Sequence, residues 1–403
     1  MKTRAGHLTY CTNIHPGEDW NSHFQELRTY LPAIKSKISP SEKMGLGLRV
    51  SNQMSLDLGN RNTLKEFQEW LGDHQMYVFI INGFPYGQFH DTVIKDQVHT
   101  PDWTTSDRVE YTKRLIDILA KILPEDMKTG GISTPPLSYR HWFMDAEQTN
   151  EAIETATRNI MLVLEYLHHL HLATGQIIHL DIEPEPDGLL ENGQEFIHWY
   201  KAILIPMAHE QLKYKGLDET EVNSIVRRHI RLCYDVCHMA VEFENQRELT
   251  ERLDHLNIPI GRIQLSSALR LPPSGNPAIL KTFDESQYLH QVVIRKPTGI
   301  LEKYKDLGPA LEKETDNSPG NEWRIHFHVP LFTQEYGELH STRDYIDEIL
   351  DIHRQKPLSD FLEIETYTWD VLPDTLQRPM GESIVREFAY IGDIIQKQSV
   401  HHE

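Results

Sequence analysis

Short apolar segments alternate with long amphipathic segments along almost the whole chain of 403 residues. This alternation is typical of repeated strand–helix units that build a parallel sheet. Eight segments are predicted strands, namely 8–15, 44–51, 76–87, 130–136, 176–186, 230–239, 261–271 and 361–369, and a further extended segment lies at 323–332. Eight units without a break in composition predict one α/β domain over residues 1–403, a (β/α)8 TIM barrel with insertions after strands five and seven.

The helices between these strands carry clear start and stop signals. Thr105 and Ser106 predict the start of one helix, and Gly175 predicts the end of another that begins near residue 150. The segment after the seventh strand, about 272–322, is rich in proline, glycine and charge and is predicted to be an insertion that leads into the extended segment 323–332. The last helix is expected over 381–396.

The overall charge and the three cysteines narrow the class of protein. A formal net charge of −20 disfavours binding to phosphate backbones, so no nucleic-acid partner is expected. No apolar stretch is long enough to span a membrane, and the first residues lack the apolar segment of a secretory signal. We therefore expect a cytoplasmic protein with reduced cysteines, while the sequence does not specify its oligomeric state.

Acidic and polar residues follow the predicted strands, where a parallel barrel places its active site. Glu183 follows the fifth strand, Asp235 and His238 the sixth, Gln264 lies in the seventh, and Glu365 follows the eighth. Each also has a structural interpretation: Glu183 as a turn residue, for instance, or Asp235 as a helix N-cap. Buried together, unpaired carboxylates cost several kcal/mol each unless a cation neutralises them, which predicts a divalent-metal site.

Further residues at the same rim are candidates for ligand binding. His326 and His328 share one face of their strand, and we favour His328 as the metal ligand and His326 for the substrate. The sequence leaves open which of the two is the ligand, and histidines of an edge strand that face solvent are the alternative. Side chains at the ends of the first three strands are predicted to bind substrate hydroxyls, with loop capping as the alternative: Asn13, His15, Arg49 and Asn82. Glu363 is expected in a core or supporting ion pair. Cys237 is expected to point away from the site, so we predict no thiol nucleophile.

The ordered set Glu183, Asp235-x-x-His238, Gln264 and Glu365 resembles the xylose-isomerase-like superfamily of isomerases, epimerases and endonuclease-type barrels. More closely, LTYCTNIHPGEDW, DIEPEPDG, YDVCHMAVEFE, HFHVPLF and LEIETYTWDVLP resemble the EboE family of bacterial metabolite-traffic proteins. The resemblance implies a cation (Mn, Zn, Mg or Co) held by Glu183, Asp235, Gln264 and Glu365. Gln264 departs from the usual imidazole of that position, and His326 or His328 compensates for it.

The resemblance implies a metal-dependent isomerase or epimerase of a small polyol or sugar-like metabolite, in a pathway of precursor synthesis or traffic. Glu183 and Glu365 would move a proton through an enediolate while His238 contacts a substrate oxygen. Two alternatives stay open, a non-catalytic metabolite-binding protein and a DNA-repair endonuclease-type barrel. The latter needs more histidines near the second and third strands and a basic groove.

Overall fold

Eight parallel strands form a barrel in the computed structural model, and both apolar and charged side chains fill its interior. The structure describes residues 1–87, 95–213, 216–286, 288–313, 320–366 and 379–397. The strands are Gly6–Tyr10, Met44–Arg49, Met76–Asn82, Thr129–Thr134, Ile177–Ile182, Ile230–Asp235, Ile260–Leu265 and Phe361–Ile364. The first strand pairs with the eighth, and the ladder continues in order back to the second. A parallel bridge between Cys11 and Gly47 joins the first strand to the second and nearly closes the barrel. The predicted barrel is thus confirmed.

Helices cover the outside of the barrel and begin and end near the predicted signals. The side chain of Thr105 accepts the N–H of Arg108 at the start of one helix, and Gly175 ends another with φ of 74°. The α-helices are Trp20–Ile38, Asn52–Leu58, Arg61–Asp73, Ser106–Ile122, Ala146–Thr174, Gly193–Trp199, Ile205–Lys213, Glu219–His229, Val236–Val241, Gln246–His255, Leu307–Lys313, Arg343–Gln355 and Met380–Lys397. Within the described residues, none of these helices is long and apolar enough to cross a membrane.

Several strands end earlier than their apolar segments predict. The segment 230–239 is a strand only as far as Asp235, whose side chain accepts the N–H of His238 and starts the helix Val236–Val241. The segment 261–271 is likewise divided between Ile260–Leu265 and a separate strand. Residues 367–369 of the predicted eighth strand lie outside the described residues. The early ends leave polar side chains in the loops at the barrel mouth.

The two insertions lie where they were predicted, after the fifth and seventh strands. The first is helical. The second, for which no sheet was predicted, forms a six-stranded antiparallel sheet that we call the insertion sheet: Ala268–Leu271, Val292–Arg295, Leu301–Tyr304, Glu322–His328, Glu335–Tyr336 and Leu339–Ser341. Its strand Glu322–His328 pairs with Ala268–Leu271, with a register shift between Ile325 and His328. This strand carries both candidate histidines to the barrel mouth.

A charged layer fills the barrel interior below the mouth. The Arg262 guanidinium donates from Nε to Asp181 Oδ2 at 3.1 Å and from Nη1 to Glu363 Oε2 at 3.0 Å, and all three side chains are fully buried. The Asp181 carboxylate also contacts Nδ1 of His179 at 2.5 Å. The structure places Glu363 in a core ion pair, as the sequence predicts.

Glycines in the neighbouring strands make room for this charged layer. A Cβ added to Gly261 would lie 1.8 Å from Asp181 Oδ1, and one added to Gly47 would lie 1.9 Å from Glu363 Oε1. A Cβ at either position would displace a carboxylate of the charged layer, so glycine at these two positions leaves room for the carboxylates beside the strands.

Candidate metal centre

Three carboxylates from separate strand ends meet at the C-terminal mouth of the barrel. One oxygen each of Glu183, Asp235 and Glu365 lies within 4.8 Å of the other two. Glu183 and Glu365 directly follow the fifth and eighth strands, and Asp235 ends the sixth. Their exposed fractions are 3%, 0% and 5%. The predicted convergence of these three residues is therefore present in the structure.

Each of the three carboxylates has one oxygen without a hydrogen-bond partner among the described residues. Oδ1 of Asp235 accepts the N–H of His238 at 2.9 Å and the Ser266 hydroxyl at 2.8 Å. Oε1 of Glu365 accepts from Nδ2 of Asn13 at 2.8 Å. Asp235 Oδ2, Glu365 Oε2 and Glu183 Oε2 have no hydrogen-bond partner among the described residues. Buried anionic oxygens in this state fit a cation, because their desolvation is otherwise uncompensated. Asp235 is thus both helix cap and candidate ligand.

Three histidines complete the wall of the centre, each with Nδ1 directed at a fixed acceptor. His238 Nδ1 lies 2.9 Å from the Pro184 carbonyl, and His328 Nδ1 lies 2.9 Å from the Glu365 carbonyl. His326 Nδ1 lies 2.7 Å from Gln291 Oε1. These acceptors place the proton of each neutral ring on Nδ1. The lone pair is then on Nε2, which is the arrangement found in histidines that bind a metal through Nε2.

Burial sets the protonation of the centre. Burial and then the charges of Asp235 and Glu185 raise the pKa of Glu183 well above its usual value, and burial with Glu183 and Asp235 does the same to the pKa of Glu365. Burial lowers the pKa of His328 to about 4. It also lowers the pKa of His238 and, with the neighbouring histidines, that of His326. The imidazoles are therefore neutral and available as ligands at neutral pH.

The centre borders a small cavity of about 60 Å³. Its lining combines the acids and histidines with apolar residues of the surrounding loops: Asn13, Asn82, Phe84, Pro85, Lys95, Val98, Glu183, Glu185, His238, Tyr288, Leu289, His326, His328 and Glu365. A volume of this size holds a cation and one or two waters.

His326, predicted to bind substrate, lines the cavity, and the four residues predicted at the ends of the first three strands divide into two pairs. Asn13 and Asn82 line the cavity, and both direct Nδ2 at Glu365 Oε1. His15 instead contacts the Tyr10 hydroxyl through Nε2 at 2.7 Å, and Arg49 donates to Glu18 and to the Gly17 carbonyl. Neither is among the residues that line the described cavity. For this second pair the alternative interpretation, loop capping, fits the contacts.

Gln264 is buried in the seventh strand, and its role as a ligand stays a prediction. Its Oε1 accepts from the Cys233 thiol at 2.8 Å, and the atom without a partner among the described residues is Nε2. An amide nitrogen does not bind a cation, so a ligand role requires the amide to rotate. His326 and His328 already supply imidazoles at the mouth, as the sequence suggested.

Two residues near the histidines were not predicted. Glu185 lies with His238 and His326 in a group whose ligand atoms are all within 4.8 Å, and Cys237 lies in such a group with His326 and His328. Glu185 follows Glu183 by two residues in the EPEPD turn, where the prolines interrupt the strand and its alternation of side chains no longer identifies site residues. Cys237 is not among the residues that line the described cavity, and its Sγ lies near the two histidines outside that lining. Burial raises the pKa of its thiol well above the usual value, which disfavours a thiolate nucleophile.

The described fold has counterparts among solved structures. A xylose isomerase-like TIM barrel protein from Mycobacterium smegmatis, solved in complex with magnesium, superposes with a TM-score of 0.50 and 10% identity over 97% of each chain. The fold is that of a xylose isomerase-like TIM barrel.

Two further solved structures have lower scores. A putative sugar phosphate isomerase/epimerase from Anabaena variabilis matches at 12% identity and a TM-score of 0.48, covering 98% of this chain and 99% of that one. The IolI protein with a bound zinc atom matches at 12% identity and 0.45, covering 97% and 98%. No protein-family model and no curated protein sequence matches the chain.

Proposed function

We propose that the chain is a metal-dependent isomerase or epimerase of a small polyol or sugar-like metabolite. The observation that carries the proposal is the burial of Glu183, Asp235 and Glu365 within 4.8 Å of one another at the barrel mouth. This is the end of a TIM barrel at which active sites form. A fold neighbour solved in complex with magnesium supports a divalent cation in this proposal.

The residues that would hold the cation are Glu183, Asp235 and Glu365 with His328, and with Gln264 if its amide rotates. Carboxylates suit Mg²⁺ and Mn²⁺, while an added imidazole suits Zn²⁺ and Co²⁺, so the donor set fits all four. A divalent cation bound here would polarise a substrate carbonyl and its neighbouring hydroxyl and make the adjacent C–H more acidic.

The protein side chains then supply the proton transfer. Glu183 and Glu365 each keep one oxygen without a hydrogen-bond partner among the described residues, and a carboxylate can both accept and return a proton. In this proposal one glutamate removes the proton from carbon and the other returns it. His238, with Asn13, Asn82 and His326 along the cavity, contacts the substrate oxygens.

The biological setting rests on sequence motifs alone. The similarity of DIEPEPDG, YDVCHMAVEFE and HFHVPLF to the EboE family extends the proposal to a cytoplasmic pathway that makes or moves a metabolite precursor. If the site binds the metabolite without converting it, the chain is a non-catalytic metabolite-binding protein. The turnover experiment distinguishes the enzyme from the binding protein.

The test is turnover of sugar and cyclitol epimer pairs in D₂O by the Mn²⁺-loaded protein. We expect deuterium from the solvent to be incorporated at the epimerised carbon. We also expect Glu183→Gln and Glu365→Gln each to lower kcat by about 10²-fold or more, which is the usual contribution of a proton-transfer group. The matched control is Glu387→Gln, another buried glutamate, which lies on the closing helix. Turnover without deuterium, or full activity in both variants, would contradict the mechanism; metabolite binding without turnover would favour the binding protein.

A further inference from the structure

A second cavity, of about 590 Å³, lies at the end of the barrel opposite to the three carboxylates. It is bordered by the helices Glu219–His229 and Gln246–His255, by residues 356–358 and by Ile260, the first residue of the seventh strand, and we call it the floor cavity. The helix Glu219–His229 leads directly into the sixth strand, which spans six residues, so roughly 20 Å separates the two ends of that strand. A small ligand in the floor cavity is therefore remote from the carboxylates at the mouth.

Two hydroxyls and two guanidinium groups lie along one face of the helix Glu219–His229. Positions 220, 224, 227 and 228 share one side of an α-helix, because they are separated by four, seven and eight residues from the first of them. The opposite side, which includes Val222 and Val226, is buried. The side chains that line the floor cavity from this helix are Thr220, Ser224, Arg227 and Arg228. All four can donate hydrogen bonds, and none of them is acidic.

The positive charge of these two arginines is not matched within the described part of the chain, where neither forms an ion pair. Nε of Arg227 is buried and has no hydrogen-bond partner among the described residues, and Arg228 donates from Nη2 to Ser224 Oγ at 3.4 Å. Asp254 also lines the floor cavity, but its carboxylate is already paired with Lys356 Nζ at 2.5 Å. The cavity thus carries an excess of positive charge in a chain whose net charge is −20.

The position of the arginines at a helix end explains only part of this arrangement. Basic residues in the last turn interact favourably with the partial negative charge of the helix C-terminus. The helix dipole supplies no acceptor to the buried Nε of Arg227, and a buried donor without a partner costs free energy. An anionic ligand in the floor cavity would supply that acceptor.

The remaining wall of the floor cavity is largely apolar. Leu253, Ile258 and Ile260 line it with exposed fractions of 1%, 4% and 6%, and Pro357 and Leu358 lie beside them. Cavities that bind small molecules have volumes of roughly 300 to 1,000 Å³, which includes the volume of the floor cavity. An inorganic ion would leave most of this space to water, so a ligand with an anionic group and an apolar or ring-shaped body fits the cavity better.

From this arrangement we infer that the floor cavity binds a small phosphorylated molecule. Arg227 and Arg228 hold the phosphate, since guanidinium groups match the geometry of phosphate oxygens, and the hydroxyls of Thr220 and Ser224 add two donors. A carboxylate has one charge and two oxygens and would use fewer of these donors. The ligand is separate from the substrate proposed for the mouth, and its binding does not depend on that proposal.

The test is isothermal titration calorimetry of the full chain with phenyl phosphate, after a chelator has removed any cation from the mouth. We expect one site per chain and weaker binding of both inorganic phosphate and benzoate. Arg227→Gln and Arg228→Gln should each weaken the binding of phenyl phosphate roughly tenfold or more, because each removes a charged hydrogen-bond donor. The matched control is Arg158→Gln, which changes an arginine on another helix that pairs with Glu154 and should keep the affinity of the unmodified chain.

Four results would overturn the inference. These are the absence of saturable binding, an unchanged affinity in both Arg227→Gln and Arg228→Gln, benzoate binding as tight as that of phenyl phosphate, and binding that treatment with chelator abolishes. The last result would place the anion on a cation at the mouth and would leave the proposed function intact. Crystals of the unmodified protein soaked with tungstate, a phosphate-like anion with strong anomalous scattering, locate the site even where a variant does not fold. Tungstate is expected between Arg227 and Arg228, and its absence from the floor cavity would also overturn the inference.

Discussion

Asp235 shows how one side chain can satisfy both a structural and a functional interpretation. Its Oδ1 caps the helix Val236–Val241, while Oδ2 has no partner among the described residues and the carboxylate lies beside Glu183 and Glu365. A carboxylate has enough acceptor capacity for both tasks. From the sequence alone the two roles are alternatives, but in the structure the helix cap is what fixes the carboxylate at the barrel mouth.

The site residues that the sequence predicts and those that it does not differ in their local setting. Glu183, Asp235 and Glu365 are predictable because each closes an apolar strand. Glu185 lies between Pro184 and Pro186, where the alternation of strand side chains no longer applies. Nothing local to the chain indicates that it meets His326, because His326 lies 141 residues later (326 − 185) in a strand of the insertion sheet.

The glycines around the charged layer permit a test at single-residue scale. Gly261→Ala would place a Cβ 1.8 Å from Asp181 Oδ1 and so force the carboxylate away from Arg262. Breaking a buried ion pair typically costs about 3 to 5 kcal/mol, and we expect a loss of unfolding free energy of this order, measured by urea denaturation. Gly72→Ala is the control, since nothing lies within 4 Å of its Cβ and it lies in a helix. A stable Gly261→Ala protein would show that the layer tolerates displacement.

At the scale of elements, the sequence predicts the order of the barrel strands and fails on the insertion sheet. Strands of the barrel are separated by amphipathic helices, a pattern visible within a short window. The insertion sheet pairs short segments such as Val292–Arg295 and Leu339–Ser341 across a region rich in proline and glycine. Its pairing depends on contacts distant in sequence, which local periodicity does not report.

The closing helix Met380–Lys397 is attached to the loop after the eighth strand by a buried glutamate. Glu387 Oε1 accepts the Thr366 hydroxyl at 2.8 Å and the Leu331 N–H at 3.3 Å. Burial raises the pKa of Glu387 to about 8. The folded chain therefore holds this proton up to about pH 8, while the unfolded chain releases it near the ordinary value of 4.5.

The direction of this pKa change predicts that Glu387 lowers stability as pH rises. Protonated Glu387 contributes its full stabilisation of the fold below about pH 4.5. Between about pH 4.5 and pH 8 only the folded chain keeps the proton, so this stabilisation declines by about 1.4 kcal/mol for each pH unit. Glu387→Gln mimics the protonated form, so we expect a higher Tm than the unmodified chain at pH 8 and nearly the same Tm at pH 5. The Glu382→Gln variant on the same helix should match the unmodified chain at both pH values. A lower Tm for Glu387→Gln at pH 8 would contradict the assignment.

At the scale of the whole molecule, the barrel concentrates negative charge where the strands end. The chain carries a net charge of −20, and Glu183, Asp235 and Glu365 are held together at its mouth. Arg262 in the layer beneath lowers the pKa of Glu183 and Glu365, against the larger effect of burial. Its charge is largely matched by Asp181 and Glu363, so Arg262 does not neutralise the three carboxylates at the mouth.

Cation binding should therefore stabilise the whole barrel and release protons. Glu183 and Glu365 have raised pKa values and must lose their protons to bind a cation, whereas the histidines are already neutral. At a fixed Mn²⁺ concentration the apparent affinity then rises with pH, by up to about tenfold per pH unit for each proton released. The increase in Tm caused by Mn²⁺ should accordingly be larger at pH 8 than at pH 6, by an amount equivalent to about 1 kcal/mol or more. The double variant Glu183→Gln, Glu365→Gln should show little increase at either pH, and an equal increase at both pH values in the unmodified chain would mean that these glutamates are already ionised without the cation.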